Sequence, residues 1–428
     1  MMKVNIITLG CSKNTVDSEN IAGHLRKNGF DVVFDKTGRA DIVIINTCGF
    51  IGDAKVESID TILGELERKK RARKPVKVIV CGCLSERYRN ELLEEFPEVD
   101  ALYGVHEWNR LIDDIISGQS QKFESERLAS TPKHYAYLKI SEGCDRHCSY
   151  CAIPMIRGRH VSRPMEELVE EAKKLVADGV KELILIAQDT TFYGVDLYGK
   201  QCLGELMTRL AEESGAEWIR LHYTFPTSFP HDVIEAMKKY GNICNYIDIP
   251  LQHVSTHILE SMKRGIDEAG TVALIEKFRR EIPDVSIRTT LIVGYPGETE
   301  EDFRKLMSFV ETQRFDRMGA FVYSPEEGTP ACDLQETLSE EEKQSRLDEL
   351  MALQEKISFE RNCEKIGRTV KVIIDRKEGG FYVGRTQYDS PEVDNEVLVK
   401  TSRKLMSGDF CDVKITNATE FDLEGQPV

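Results

Sequence analysis

Three runs rich in valine and isoleucine, VNIITLG, DIVIINT and VKVIVCG, each lead directly into a cysteine, at Cys11, Cys48 and Cys83. Continuous apolar runs of this kind suit parallel strands covered on both faces. They predict strands at Val4–Leu9, Ile42–Ile45 and Val76–Val80, with helical patterns following near 15–28, 53–70 and 85–96. This alternation predicts an open α/β domain. The three cysteines lie 37 and then 35 residues apart, too far for one metal-binding loop. Each nevertheless stands just past a strand and just before a helix. If the strands are parallel neighbours, the thiols gather at the carboxyl edge of the sheet, where open α/β sheets bind ligands. Small buried cysteines are common at strand ends, but repetition in three successive units points to a shared site. Cys81, inside the third run, is expected in the core.

The remainder of the 428 residues has room for one to three further domains. Strands are expected at Tyr135–Ile140, Glu182–Ala187, Trp218–His222, Tyr246–Ile249, Val285–Val293 and Met318–Tyr323. Helical patterns intervene near 165–178, 203–214, 231–240, 255–263, 268–281 and 300–313. Six such units fall short of the eight of a closed barrel, so a partial, open (βα)6 barrel is predicted. A charged amphipathic helix from Ser339 to about Lys365 trails it. Beyond that, short alternating runs between Gly, Asp, Asn and Pro suit a small β-barrel. The domains expected are 1–119, 133–360 and 361–428, with a polar linker at 119–133.

Composition narrows the function. The net charge is −16, which disfavours general nucleic-acid binding and suits a basic partner. The middle of the chain, 121–360, carries −13 of it, and the last 68 residues carry −1. No apolar run reaches the ~18 residues of a membrane span, and the start MMKVNIITLG has no secretory leader pattern. Twelve cysteines are too few for a disulfide scaffold, so a reducing, cytoplasmic compartment is expected.

Cys144, Cys148 and Cys151 form C-x3-C-x2-C in GCDRHCSYC, just after the first barrel strand. Thiolates at this spacing converge on one soft metal centre. Three ligands suit a 4Fe–4S cube with one iron left open, whereas structural zinc wants a fourth ligand. His147 could supply that only by straining the loop. The end of a barrel strand is also where such folds carry their chemistry.

This motif, with the aromatic Tyr150 before its last cysteine, resembles the radical S-adenosylmethionine superfamily. With TLGCSKNTVDSE, NTCGFI, GCLSERY, AQDTTFYG, DIPLQH and LIVGYPGET, nearly the whole chain resembles the methylthiotransferase family within it. The resemblance implies two 4Fe–4S clusters and S-adenosylmethionine. Cys144, Cys148 and Cys151 would hold the radical-generating cluster, and Cys11, Cys48 and Cys83 an auxiliary cluster that presents sulfur. The last domain would be a TRAM module. The net reaction would replace C–H with C–S–CH3.

GCSKNTVDSE, SEGCDRHCSYCAIP and AQDTTFYG resemble the branch acting on an aspartate of the twelfth small-subunit ribosomal protein, and the acidic charge suits such a basic substrate. A transfer-RNA adenosine methylthiotransferase is the nearest alternative. A non-catalytic, metal-stabilised RNA-binding protein is an alternative of another class. The basic stretch RKKRARKPVK (68–77) is read as a solvated helix end. An electron donor and a sulfur source are implied partners, no membrane is, and one chain suffices. For the cofactor, Tyr150 is expected near the adenine and Gln188 near the amino group. Arg288 is expected on a cofactor carboxylate or the substrate, because a buried arginine wants an anion. Gly294, with Gly297, is expected to let backbone approach the adenosine. Gln252 and His253 are expected to pack rather than bind.

Overall fold

The computed structural model describes residues 1–36, 38–116 and 127–428. Five parallel strands form the first sheet: β1 (Lys3–Thr8), β2 (Asp31–Phe34), β3 (Ile42–Thr47), β4 (Lys77–Gly82) and β5 (Ala101–Leu102), in the order β2-β1-β3-β4-β5. The three expected strands are its adjacent centre. The two edge strands escaped the sequence reading because four and two residues are too short for a periodic signal. Helices Ser12–Lys27 and Gly52–Arg71 match their patterns, while the third is broken into Cys83–Arg87 and Arg89–Glu95.

The second sheet starts with β6 (Tyr135–Lys139). A two-stranded ribbon, β7 (Ser141–Glu142) with β8 (Val161–Ser162), brackets the cysteine loop. Then come β9 (Glu182–Ile186), β10 (Trp218–Leu221), β11 (Ile243–Asp248), β12 (Ser286–Val293) and β13 (Arg317–Val322). The order β13-β12-β11-β10-β9-β6 is wholly parallel and open. This is the partial (βα)6 barrel. Leu183, Leu185, Ile219 and Ile287 are fully buried beneath the helices, where cutting a leucine to alanine costs about 2–5 kcal/mol. Helix Glu340–Cys363, opened by a Ser339–Glu342 capping box, runs on to a closed barrel of β14 (Thr369–Glu378), β15 (Phe381–Thr386), β16 (Val397–Val399), β17 (Phe410–Ala418) and β18 (Leu423–Pro427). The unforeseen β18 closes it between β16 and β17.

The expected linker falls largely on residues 117–126, outside the described residues. From Arg127 onward the chain forms a strap rather than a spacer. Arg127 Nε lies 2.6 Å from Glu19 Oε2, and the Thr131 amide donates to Glu19 Oε1. A fully buried carboxylate thereby ties the first domain to the barrel. The small β-barrel is also tied in. The segment between β15 and β16 enters the barrel interior, where the Tyr246 hydroxyl donates to Asp394 (2.7 Å) and Ser390 Oγ meets His222 Nε2 (2.8 Å). The basic stretch caps its helix: Arg68, Lys69 and Lys70 pair with Glu65, Asp100 and Glu98 near the surface.

Candidate functional site: two cysteine trios across a domain junction

Cys11 follows β1, Cys48 follows β3 and Cys83 follows β4. The β1-β3-β4 pairing therefore gathers all three at one sheet edge. The packing there is tight: a Cβ built on Gly10 (φ +88°) would stand 2.7 Å from Cys48 Cβ. Cys83 is 5% exposed and Cys48 8%. Burial pushes the Cys83 thiol up to about 11, opposed by Arg157 and reinforced by Cys11 and Cys48. Cys48 is raised for the same reason. Burial also works on Cys11, but there Lys13 and Arg157 outweigh it and the thiol lies below its ordinary value. One guanidinium, Arg157, thus acts on all three sulfurs.

The second trio occupies one loop. Cys144, Cys148 and Cys151 lie between β7 and helix Ile153–Arg157. Burial pushes Cys144 and Cys151 up to about 12, and each is raised further by Cys148. The Arg146 amide donates to Cys144 Sγ (3.4 Å) and Arg264 Nη1 to Cys148 Sγ (3.3 Å). His147 is exposed, away from a fourth-ligand position. A single tetrahedral ion with metal–sulfur bonds of ~2.3 Å would draw its sulfurs to ~3.8 Å. Among the described residues, the only group with ligand atoms all within 4.8 Å of one another is His231, Glu235 and Glu281. Both trios are therefore more open than a mononuclear site. Six soft thiols in two open trios, each with a buried arginine as donor, fit iron–sulfur clusters better than zinc.

From Cys83 a largely buried polar chain runs into the barrel. Arg157, 2% exposed, donates to Cys83 Sγ (3.4 Å), Asp17 (2.9 Å) and Glu142 (3.0 Å). Lys139 also pairs with Glu142 (2.7 Å). Burial works against the Glu142 carboxylate, yet Lys139 and Arg157 hold it well below the usual carboxylate range. Gln188 Nε2 donates to Glu142 Oε1 (2.6 Å), while Gln188 Oε1 is buried with no hydrogen-bond partner. That orphan acceptor suits an ammonium group. Tyr150 packs against Tyr295, Tyr323 and Met262 beside the barrel trio and accepts from Arg264 (3.3 Å).

Two residues expected at the cofactor also have partners within the protein. Arg288 already has anions inside the protein, Asp248 (3.0 Å) and Asp394 (3.3 Å). It fastens the small β-barrel to the large one, and the charges that satisfy it come from residues distant in sequence. Gly294 (φ +73°) makes its close approach to Lys343, whose Cγ would stand 2.5 Å from an added Cβ. The trailing helix fills the space on the side a Cβ would occupy. His253 is fully buried, accepting from the Ser255 amide (3.0 Å), as a packed residue should. Sequence reading missed Arg157, Arg264, Glu142 and Lys13. For Arg157, Glu142 and Lys13 the signal was proximity in sequence to the cysteine motifs, which by itself does not tell a buried charge from a surface one; Arg264, more than 100 residues past Cys151, had none.

Family models match along the chain: an uncharacterised protein family (UPF0004) over residues 3–104, the radical SAM superfamily over 138–310 and a TRAM domain over 366–428. The ribosomal protein uS12 methylthiotransferase RimO of Phocaeicola vulgatus is 56% identical over 423 residues, covering 98% of both chains. The protein of the same name from Flavobacterium psychrophilum is 56% identical over 426 residues, covering 99% of this chain and 98% of its own. The chain belongs to the uS12 methylthiotransferase family. With this family come S-adenosylmethionine and 4Fe–4S clusters. A solved radical S-adenosylmethionine methyltransferase, TsrM from Kitasatospora setae, matches in fold with TM-score 0.56 at 14% identity, over 95% of this chain and 84% of its own. Outside the family, therefore, the fold persists with little sequence in common.

Proposed function

We propose that this chain is the radical S-adenosylmethionine enzyme that methylthiolates the β-carbon of an aspartate in ribosomal protein uS12. Cys144, Cys148 and Cys151 hold the radical-generating cluster, and Cys11, Cys48 and Cys83 hold the auxiliary one. When bound, these groups supply a carbon-centred radical for hydrogen abstraction and a sulfur source for insertion. The chain's own residues bind and exclude water. The Gln188 amide oxygen accepts the cofactor ammonium, and Tyr150 contributes an apolar wall for the adenine. Arg157 and Arg264 neutralise thiolate charge that burial would otherwise disfavour. Helix Glu340–Cys363 and the β15–β16 segment pack against the barrel.

The observation that supports this reading best is two open three-thiol sets flanking one domain junction, where Arg157, rooted just after the loop trio, donates to Cys83 of the edge trio. Three thiols per site leave one iron of each cube available to a reactant. A ribosomal substrate implies action in the cytoplasm. An external reductant and a sulfur donor complete the reaction, and a single chain carries both trios. The test is to reconstitute the protein anaerobically and offer uS12 and transfer RNA together. The expected outcome is a methylthio mass gain on uS12, with about eight irons per chain. A gain on the RNA alone would overturn the substrate assignment.

A further inference from the structure

Lys13 lies in the first turn of helix Ser12–Lys27, two residues after Cys11, and is only 7% exposed. A buried ammonium ordinarily has an anion beside it, because desolvating an unpaired charge is costly. Among the described residues Lys13 has no carboxylate partner and no hydrogen bond from its Nζ. Its ammonium lies over the ring of Tyr223, 3.0 Å from the centroid, and its charge also lowers the Cys11 thiol. A ring face attracts a cation but accepts none of its three N–H groups as a carboxylate would.

Tyr223 belongs to the other domain. It follows β10 at the carboxyl end of the barrel strands, in the left-handed region at φ +57°. A tyrosine held there is strained, and such strain persists where the surroundings fix it. Here the Tyr223 amide donates to Asp248 (2.9 Å), and its hydroxyl lies 3.5 Å from Ser12 Oγ. The ammonium therefore reaches from the edge that carries the first trio to the face that carries the second. Within the first trio it is Arg157 that donates directly to a sulfur, Cys83 Sγ at 3.4 Å.

We propose that the Lys13 ammonium receives the side-chain carboxylate of the substrate aspartate and so holds the reacting β-carbon between the two cysteine trios. This rests on the reading of uS12 as substrate and deepens it. The carboxylate is bonded directly to the β-carbon, so fixing one positions the other to within a bond length. Lys13 is a positioning and specificity-determining residue: a substrate offering no anion there leaves the buried charge unpaired.

The test measures binding rather than turnover. Labelled uS12, and uS12 with its target aspartate changed to asparagine, are titrated into cluster-loaded enzyme without reductant, and Kd is read by anisotropy. Wild type should prefer the aspartate form roughly ten- to hundredfold, as expected for a charge-assisted hydrogen bond. Lys13→Met should erase that preference, and Lys13→Arg should keep most of it. If Lys13→Met does not take up iron normally, Lys13→Gln is read in its place. A preference that survives loss of the ammonium overturns the proposal. So does equal binding of the two forms by wild type. So does a Lys13→Met effect confined to the auxiliary cluster's electron paramagnetic resonance signal, which would assign the cation to a sulfur anion. Wild type that binds neither form, yet methylthiolates RNA, overturns the substrate reading itself.

Discussion

The two cysteine trios make the same kind of site by opposite routes. Cys144, Cys148 and Cys151 sit within eight consecutive residues, and one loop brings them together. Cys11, Cys48 and Cys83 span most of a domain, and only the pairing β1-β3-β4 unites them. The first kind of site depends on local backbone geometry. The second depends on sheet register, since one strand out of order would strand a thiol. The two also share a residue unequally. Arg157 arises from the helix that closes the barrel loop, yet its guanidinium serves the other trio. The edge trio therefore draws on a residue outside its own domain.

The sharpest way to break this comparison is to remove one ligand from each trio. Cys144→Ala should abolish 5′-deoxyadenosine formation, measured by chromatography of the quenched reaction. Continued formation would strip the loop trio of its role. Cys48→Ala should leave cofactor cleavage measurable but stop methylthiolation of uS12, read by mass spectrometry. Product at the normal rate would end the auxiliary assignment. The asymmetry between the trios is tested by Arg157→Gln, which leaves Asp17 and Glu142 short of a buried partner. It should destabilise the protein by about 3–5 kcal/mol, the cost of breaking a buried ion pair, in chemical denaturation. The auxiliary cluster's reduction potential should also fall, while that of the barrel cluster stays within error. Equal shifts in both would show the guanidinium to be shared.

A smaller effect concerns pH. Burial holds His222 down to about 3, where it remains neutral beside Ser390. The unfolded chain, with histidine near its ordinary value of 6.5, takes up a proton first as the pH falls. Stability contributed by this group is therefore complete above pH 6.5 and is lost progressively between 6.5 and 3. His222→Gln should flatten that part of the acid denaturation profile. An unchanged slope would assign the acid sensitivity to other groups.

The sequence alone determined much of this protein. Alternating apolar runs and 3.6-residue patterns gave three domains of recognisable class, because burial on both faces of a parallel sheet leaves a continuous apolar signature. Spacing gave the loop trio, and position after successive strands gave the edge trio. Cys81, buried within β4, behaved as the packed neighbour its position implied. Tertiary structure alone decided which charges meet. Arg288 pairs with Asp394, and Gly294 lies against Lys343, roughly 106 and 49 residues away in sequence. Nothing along the chain marked Lys13 as buried; Tyr223 of another domain covers it. Hydrophobic burial follows local periodicity and can be read along a chain. The partner of a charge is set by whichever distant element packs against it, and only the folded molecule brings that element near.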